Sequence, residues 1–565
     1  MSRSDLVKEL REGMKPTGFD RLITKAFPGW GLKRMEARAT LAVVGGRAWT
    51  GARRDTPEGK NWNPLPESPD TEQRWDRPYL VDRAADLERN DALAGGAVAE
   101  AVLSVVGTGL SVQPEPNRKI LGWSQDQAVE WAEDVKGRFQ LFAGDARECD
   151  IARRRNFYQA QAIAYRTVAS RGDCFALMPR KRYPGTTWAL KFQLIEGDRC
   201  LNPTSKQDTL ATDNPLSQGV EVDEVGGVKN YTFCKKHPVA GLALTDEDFT
   251  TVPAWDSDGR RQVLHLMHEH RLDLRRGYPL LAPVIMPLKQ MSRLSEAELA
   301  ASVVTSFFAV LVKKSGTGTS PLGGAVTKDK DGKGFAELGP AIVAELNPGE
   351  SIEQVTPNRP NGAFDPFWRS LLGQIAMRIQ IPPEVLLKKF ESSYTAARAA
   401  LLQFWKFVTV ERENLLAPNF CQPIYEAWLD EEVAAGRIKA PGYFASPLLR
   451  AAYCNARWMG DNPPILDPLK EVMASEEMID YTLSTRADEA MRLNGRDWEP
   501  TRERAAREQK LLAAEGLTPP SKAAASPVLP PDPANPDTPP NDPGASSSRG
   551  ARRMARLALA LREDR

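Results

Sequence analysis

Three of the four histidines lie within six residues, in the stretch HLMHEH. Imidazole nitrogens are common zinc ligands, so His265, His268 and His270 are the first candidates for a metal centre. The alternation of apolar residues in VLHLMH predicts a strand, and neighbouring residues of a strand point to opposite faces. His268 and His270 would share one face and His265 would lie on the other. We therefore expect no metal site and interpret the stretch as a half-buried strand.

Motifs that bind nucleotides or calcium are absent or incomplete. No G-x-x-x-x-G-K-[ST] phosphate loop occurs, and GTGLSVQPEP lacks the third glycine and the helix of a dinucleotide-binding turn. TKDKDGKGFAEL has Leu338 where an EF-hand needs an acidic residue. There is no G-x-S-x-G elbow and no group of convergent acids. The sequence thus predicts no catalytic residue, no cofactor, no metal and no enzyme.

A basic pair, Lys388 and Lys389, occupies the middle of IPPEVLLKKFESSYTAARAALLQFWKF. Pro382 and Pro383 are predicted to end the preceding helix, because proline lacks an N–H and clashes with the turn before it. A long helix is predicted to begin at Tyr394, with alanine and threonine in its first turns. Three bulky residues then follow for packing: Phe404, Trp405 and Phe407. By itself this pattern also fits a monomeric helical hairpin with an exposed lysine pair.

Composition narrows the class of protein. The 565 residues are 41% hydrophobic, enough for several sub-domains, and the net charge of +1 gives no overall attraction for nucleic acid. The six cysteines show no zinc spacing and are predicted to be reduced, buried thiols. The charged N-terminus does not resemble a signal peptide, and the apolar run 300–312 is too short for a membrane span. We expect a chain that does not enter a membrane.

The hydrophobic periodicity predicts an α+β fold that is mainly helical. A β-rich module is predicted at 174–270, with a hairpin turning on Gly226 and Gly227. Helices are predicted from about 82 to 107, at 124–142, 156–170, 287–312, 365–379, 394–417 and 423–435, the last ending at Gly436. Shorter helices are predicted after Asp467, Thr485 and Asp497.

The two ends of the chain differ from this plan. Residues 1–60 hold 13 Lys/Arg against 7 Asp/Glu, which is typical of a solvated basic arm. Between 519 and 543, 10 of 25 residues are proline, a composition that favours a disordered linker. The terminal ARRMARLALALRED could form a short basic amphipathic helix.

Five segments occur in an order that is more informative than any single motif. They are RAADLERNDALAGGAVAEAVLSVVGTGLSVQ, LHLMHEHRLDLRRGYPLLAPVI, ELNPGESIEQVTPNRPNGAFDPF, SSYTAARAALLQFWK and PILDPLKEVMASEEMI. Together they resemble the lambda-type portal proteins of tailed bacteriophages. The resemblance covers roughly Gly29 to Gly516 and excludes the proline-rich tail.

The resemblance implies a portal fold with a β-rich wing, long stem helices, a clip and a helical crown. It implies the following division of the chain: 1–75 arm and linker, 76–278 wing, 279–312 stem helix, 313–345 clip, 346–380 wing return and second stem helix, 381–393 tunnel loop, 394–516 long kinked helix and crown, and 517–565 disordered tail with a short terminal helix.

The resemblance also implies a function. The chain would form a ring, of twelve subunits in this family, at one capsid vertex, through which double-stranded DNA is packaged by a terminase and later ejected. Its implied partners are copies of itself, terminase, major capsid or scaffold protein, and head-completion or tail adaptor proteins. It would reside in the virion, and in the host cytoplasm during assembly. The alternatives are a DNA-packaging enzyme subunit, for which no site is found, and another head–tail adaptor ring, a class that is usually shorter.

The resemblance also implies a role for the lysine pair. Residues 384–393 resemble the loop that projects into the portal channel, so Lys388 and Lys389 are the expected DNA-channel residues. Lysines there would contact passing phosphates without reading bases. The small residues at the start of the following helix would let neighbouring subunits approach closely.

Overall fold

The structure, a computed structural model, describes residues 64–206, 216–238, 243–307, 364–390, 393–463, 468–495 and 498–514, with short pieces outside these ranges. The predicted basic arm, the predicted clip and the predicted tail lie almost wholly outside the described residues. None of the helices in the described part combines the length and hydropathy that a membrane span needs.

The described part is mainly helical, as predicted. Its α-helices are Pro57–Lys60 (α1), Pro69–Arg74 (α2), Asp76–Asn90 (α3), Ala92–Val105 (α4), Arg118–Leu121 (α5), Gln125–Gly144 (α6), Ala146–Cys149 (α7), Phe157–Arg171 (α8), Ile285–Phe307 (α9), Phe364–Ile379 (α10), Pro383–Leu387 (α11), Tyr394–Glu411 (α12), Gln422–Ala434 (α13), Pro447–Cys454 (α14), Pro468–Asp480 (α15), Arg486–Asn494 (α16) and Trp498–Ala514 (α17). A π-helix, Arg412–Cys421, joins α12 to α13.

The strands pair antiparallel throughout the described residues. They are Ser111–Pro114 (β1), Asp173–Leu177 (β2), Gln193–Glu196 (β3), Leu216–Ser217 (β4), Val220–Val222 (β5), Val228–Cys234 (β6), Phe249–Pro253 (β7), Val263–Met267 (β8), Leu311–Lys314 (β9), Val326–Lys328 (β10), Gly334–Ala336 (β11), Glu350–Glu353 (β12) and Ala456–Met459 (β13). The sheets have the orders β3-β2-β8 and β4-β5-β6-β7, with three further pairs, β1-β13, β9-β12 and β10-β11.

The chain divides into two compact units. Unit 1 comprises 1–98, 166–179 and 192–359, and unit 2 comprises 99–165, 180–191 and 360–565. The core of unit 1 lies between its three-stranded and four-stranded sheets. It is formed by Phe175, Ile195, Cys200, Val220, Tyr231, Phe233, Ala254 and Val263. Burying aliphatic and aromatic side chains of this size contributes about 1.5–3 kcal/mol each, so this core holds the predicted β-rich module together.

A buried ionic cluster lies beside that core. Asp173, the first residue of β2, accepts from Arg276 Nε at 2.6 Å and from Arg77 Nη2 at 2.9 Å. Arg276 also donates to the carbonyl oxygens of Gly197, Cys200 and Gln218. Burial alone would raise the pKa of Asp173, but Arg276 and Arg77 hold it well below its usual range. The cluster therefore ties helix α3 to the strands and turns of unit 1.

Two glycines bring the chain into this arrangement. A Cβ on Gly277 would lie 2.1 Å from the carbonyl oxygen of Gly172, and a Cβ on Gly172 would lie 2.6 Å from that of Gly277. Gly172 also has a φ of +94°, which side chains rarely adopt. The backbone of RRGYP thus passes directly against the start of β2, and Arg77 Nε donates to the Gly277 carbonyl at 2.8 Å.

Unit 2 has a different kind of core, built from aromatic rings. Phe139 makes edge contacts with Phe157, Tyr425 and Trp428, with ring centroids 5.1–5.5 Å apart. Aromatic pairs prefer such geometry, which adds about 0.5–1.5 kcal/mol to the burial term. These rings come from α6, α8 and α13, so they hold the helices of unit 2 around one centre.

Several predicted elements are confirmed. The hairpin turns at Gly226 and Gly227 between β5 and β6, helix α13 ends before Gly436 with a φ of +69°, and Thr485 caps α16 by accepting from the N–H of Asp488. All six cysteines are buried and unpaired, as predicted.

Two helix predictions are wrong in extent. The helix predicted from about 82 to 107 is two helices, because Asp91 ends α3 and its carboxylate caps α4 through the N–H groups of Leu93 and Ala94. The helix predicted to reach Val312 ends at Phe307, and Leu311–Lys314 forms β9, which pairs with β12. Local periodicity misses both, since a cap can interrupt a continuing pattern and a strand depends on a distant partner.

Candidate functional site

The lysine pair lies at the end of a short helix in unit 2. Helix α10 ends at Ile379, Gln380 adopts a left-handed conformation with a φ of 60°, and α11 begins after Pro382. The segment predicted as the tunnel loop therefore contains a short helix, Pro383–Leu387, before its lysines. Pro383 favours this, because proline fits the first position of a helix, where its missing N–H has no intrahelical partner.

Lys388 ends α11 in a left-handed conformation, with a φ of 53° and its N–H bonded to the carbonyls of Glu384 and Val385. Its ammonium lies 3.4 Å from the carboxylate of Glu100 on α4, and its side chain is 74% exposed whereas that of Glu100 is only 14% exposed. An ion pair with so exposed a partner contributes about 0–1 kcal/mol. Lys388 can therefore exchange Glu100 for another anion at low cost.

Lys389 and Phe390 follow and are both exposed. The N–H of Lys389 also bonds to Glu384, at 3.0 Å, so the backbone of the pair is held by α11. Val385 is buried and Ile381 is fully buried, which anchors the segment from beneath. A fixed backbone thus carries two exposed cationic side chains.

The long helix begins where the sequence predicts. The Ser393 hydroxyl accepts from the N–H of Ala396 at the first turn of α12. Thr395, Ala396 and Ala399 are exposed, so short side chains cover this face of the first turns of α12 and leave its backbone accessible to close packing. Further along, Phe404 is buried, while Trp405 and Phe407 are half-buried.

At the end of α12 the helix widens into the π-helix Arg412–Cys421, which contains Pro418. Proline and π-type turns are the usual sites at which a long helix bends, since both interrupt the regular hydrogen-bond ladder. The resemblance implies a kinked helix here, but neither it nor the periodicity indicates the wide turns.

Arg412 secures this junction. Its guanidinium donates to the carbonyl oxygens of Ser104 and Val105 at the end of α4, at 2.9 and 2.6 Å, and to that of Asp461 at 2.7 Å. It also lies over the Trp405 ring at 5.3 Å. A cation at a helix C-terminus satisfies carbonyls that have no partner within the helix. Arg412 therefore joins three segments of unit 2 at the point where the long helix changes its pitch.

The neighbouring residue carries the opposite charge. Glu411 is buried and accepts from the hydroxyl of Tyr165 at 3.0 Å. Burial, and then the nearby Glu411, raise the pKa of Tyr165 well above its usual value, so the phenol stays protonated and remains the donor. Nothing in the sequence indicates this contact, which joins positions 246 residues apart.

Comparison with models of known protein families identifies the family of this chain. Residues 55–412, more than half of the chain, match the family model described as phage portal protein, lambda family. The chain belongs to the lambda family of phage portal proteins. The match includes the lysine pair and ends at Arg412, the first residue of the π-helix.

Relatives agree with this assignment. The portal protein is 24% identical over 488 residues to Portal protein B of Escherichia phage lambda, which covers 83% of this chain and 90% of that protein. Identity and coverage are the same for the portal protein of Escherichia phage N15.

Among solved structures, the neck of a native gene transfer agent particle, computed with C12 symmetry, is similar over 74% of this chain and 93% of that chain, with 10% identity and a TM-score of 0.39. The neck of an empty particle, computed with C6 symmetry, matches with 11% identity and a TM-score of 0.36.

Membership in this family confirms two predictions. The portal protein is a structural phage protein of DNA packaging, and it is not an enzyme. The alternative of a packaging enzyme is not favoured.

The histidine trio is split, but not as predicted, because β8 ends at Met267 and His268 and His270 follow the strand instead of sharing one of its faces. In unit 1 the His265 side chain is only 10% exposed, stacks on Phe175 and has its Nε2 3.6 Å from Asp173, while the rings of His268 and His270 stack on each other at 5.6 Å. Elsewhere in unit 1, Glu196, Asp198 and His237 have ligand-type atoms within 4.8 Å of one another. Arg171 already neutralises Asp198 at 2.5 Å, so ion pairing accounts for this group. The expectation of no metal stays a prediction.

Proposed function

We propose that the portal protein assembles with copies of itself, twelve in the virion, into a ring at one capsid vertex, and that the segment 381–393 faces the central channel. Double-stranded DNA would pass this segment during packaging by a terminase and during ejection. The same ring would bind capsid or scaffold protein and head-completion or tail proteins. It would form in the host cytoplasm and reside in the virion.

The observation that supports the channel role is the geometry of the lysine pair. The backbone of Lys388 and Lys389 is held by α11, while both side chains are exposed. Such lysines suit phosphates that must be contacted and then released, because exposed charges are screened within about 8 Å at physiological salt. Tight binding would hinder DNA movement, since every contact must break as the DNA advances.

The exposed small residues of α12 support close approach between subunits. Thr395, Ala396 and Ala399 leave little side chain between one helix and whatever packs on it. We propose the wing in 76–278, a stem helix in 279–312, the clip in 313–345, the wing return and second stem helix in 346–380, and the kinked helix and crown in 394–516. The terminal segment 517–565 is proposed to be dispensable for assembly.

The test combines ring formation with packaging. Native mass spectrometry and negative-stain images should show closed rings with a central opening, and monomers at all concentrations would contradict the proposal. Lys388→Ala with Lys389→Ala should leave rings intact and lower the packaging rate or genome retention. The difference in packaging rate or genome retention between parent and double variant should become smaller as salt rises, because screening weakens the attraction between the parent's lysines and phosphates.

A matched control separates channel charge from total charge. Lys439→Ala with Lys510→Ala removes two exposed lysines from α17 and from the segment after α13 and should package like the parent. Lys388→Arg with Lys389→Arg keeps the charge and should also package normally. If the alanine pair at 388 and 389 packages and retains DNA like the parent at all salts, the channel role is wrong.

A further inference from the structure

Two basic runs of unit 2 meet in space although a helix and a strand separate them in the sequence. They are Arg153–Arg155, after α7, and Arg180–Arg182, after β2. Tyr183 joins them, because Arg153 Cζ lies 4.6 Å and Lys181 Nζ 4.9 Å from the centre of its ring. We name these six basic residues and Tyr183 the arginine patch.

The first run is built on a buried carboxylate. Asp150 is 4% exposed and accepts from the N–H groups of Ala152, Arg154 and Arg155 at 3.0–3.2 Å. The turn that results puts Arg153 in a left-handed conformation with a φ of 54°. The Tyr183 hydroxyl donates to the Ile151 carbonyl at 2.9 Å, which fixes the ring beside the turn.

The second run is equally well anchored. The N–H of Lys181 donates to the Ala189 carbonyl at 2.7 Å, and Arg180 forms an isolated antiparallel β-bridge with Leu190. Glu148 accepts from the N–H of Thr187 at 3.0 Å, at the far end of the same loop. The two runs therefore form a preorganised surface, which lowers the entropy lost when a ligand binds.

Three carboxylates next to the patch offset only part of its six positive charges. Asp150 and Glu148 lie beneath it and accept backbone N–H groups. Glu431 does the same for Ala189 and Leu190, and its oxygen is 3.9 Å from the guanidinium of Arg182, whose side chain is 61% exposed. Arg153, Arg154 and Lys181 are also exposed. A strongly cationic surface thus exists on a chain whose net charge is only +1.

We propose that the arginine patch binds the phosphate backbone of double-stranded DNA, at a contact separate from the channel lysines. The patch offers five guanidinium groups, which suit phosphate oxygens, and its aromatic ring is already covered by cations. An interface for an acidic protein would need an apolar centre inside its charged rim. In the described part of the chain, none of the large exposed hydrophobic residues belongs to residues 145–162 or 180–191. The choice of DNA rests on the proposed function, since DNA is the polyanion that a portal ring meets.

Circular DNA distinguishes this contact from threading through a channel. A nicked circular plasmid cannot enter a closed ring, so its binding to the assembled protein reports other surfaces. The variant Arg154→Gln, Lys181→Gln and Arg182→Gln should bind the circle at least about tenfold more weakly at 0.1 M salt. The slope of log affinity against log salt should lose about three units, roughly one for each phosphate contact.

Three controls accompany this variant. Arg504→Gln, Arg507→Gln and Lys510→Gln remove the same charge from exposed positions of α17 and should bind like the parent. Lys388→Ala with Lys389→Ala should also bind the circle like the parent. Arg154→Lys with Arg182→Lys keeps the charge and should retain most of the binding, which separates lost charge from lost folding.

The proposal is overturned if the parent does not bind the circle at about 50 mM salt, or if the patch variant binds it like the parent. Competition by poly-glutamate that exceeds competition by linear duplex at equal charge would assign the patch to an acidic protein partner instead. Native mass spectrometry on the same samples keeps the two proposals apart. If rings form and the patch variant binds the circle like the parent, only the proposal for the patch is contradicted. If the chain stays monomeric, the proposal of a ring is contradicted.

Discussion

Two charged clusters of this portal protein differ in burial and in pairing. In unit 1, Asp173, Arg77 and Arg276 are almost completely buried and bonded to one another. In unit 2, Lys388 and Lys389 are exposed, and the ion pair between Lys388 and Glu100 is long. Burying a charge costs several kcal/mol unless it is paired, so the first cluster must be fixed. An exposed charge has no such cost and is free to change partners.

The difference shows where a charged group contributes to the fold and where it is available for function. The buried cluster of unit 1 is bonded to the carbonyl groups around it and has no exposed charge for a ligand. The lysine pair contributes little to stability, so it can contact and release a polyanion. The following predictions alter the buried cluster, the Arg412 junction, the His265 side chain beside the buried cluster, and the partner of the lysine pair, and their expected effects on stability decrease in that order.

Removing one member of the buried cluster should have the largest effect. Arg276→Met leaves Asp173 with a single arginine partner and several carbonyls without donors, so we expect a loss of about 3–5 kcal/mol in the stability of unit 1. Thermal unfolding and limited proteolysis of unit 1 measure it. Arg260→Met, whose side chain is 40% exposed with an acidic partner 4.0 Å away, is the control and should change stability by less than about 0.5 kcal/mol. Equal effects of the two variants would show that the cluster is not a structural centre.

The Arg412 junction should rank second, because it is buried less completely. Arg412→Met loses three charge-assisted bonds to carbonyl groups, for which we expect a cost of about 2–3 kcal/mol. Hydrogen exchange should rise at the end of α4 and in the π-helix, and remain unchanged in α14. Lys406→Met on the exposed side of α12 is the control. Unchanged exchange in the Arg412 variant would contradict the role of this residue as a clamp.

Acid should weaken unit 1 through His265. Burial lowers the pKa of His265 below its ordinary 6.5, although Asp173 opposes the shift. Below pH 6.5 the unfolded chain binds a proton that the folded chain does not, so stability falls as the pH falls. One such group contributes at most about 1.4 kcal/mol per pH unit. The slope of stability against pH between 5 and 6.5 should be smaller in His265→Phe, and an unchanged slope would exclude this histidine as its source.

The smallest effect on stability, and the most informative one for the lysine pair, is expected for Glu100→Gln. This change removes the carboxylate that faces Lys388 and keeps an acceptor for the Ser104 hydroxyl. Stability should change by less than about 0.5–1 kcal/mol. Lys388 should become more available to phosphate, so genome retention should rise at low salt, and the rise should vanish when Lys388→Ala is added. A gain that persists in the double variant would mean that Glu100 acts through another group.

Much of the fold could be predicted from local patterns. The β-rich module, the hairpin at Gly226, the start of α12 at Tyr394 and the Thr485 cap of α16 all follow from periodicity and turn chemistry, whereas the predicted caps at Asp467 and Asp497 lie outside the described residues. The break at Asp91 and the strand β9 could not be predicted, because the first is a cap inside a continuous pattern and the second depends on pairing with β12.

The candidate site divides in the same way. Lys388 and Lys389 were found because prolines, lysines and small residues follow one another in the sequence. Glu100 is hundreds of residues from Lys388 in the sequence, and so is Tyr165 from Glu411. No local sequence pattern predicts either contact. The arginine patch was missed for the same reason, although each of its runs is visible alone.

The sequence by itself determined most of the helices and strands, the absence of a recognisable catalytic motif, and the order of segments that resembles a portal protein. These depend on propensity, spacing and turn residues that act over a few positions. The tertiary structure alone decided which charges are buried and paired, which lysine meets a carboxylate, and which basic runs become one surface. Electrostatic interactions depend on distance in space and on burial, and neither quantity can be read from separation along the chain.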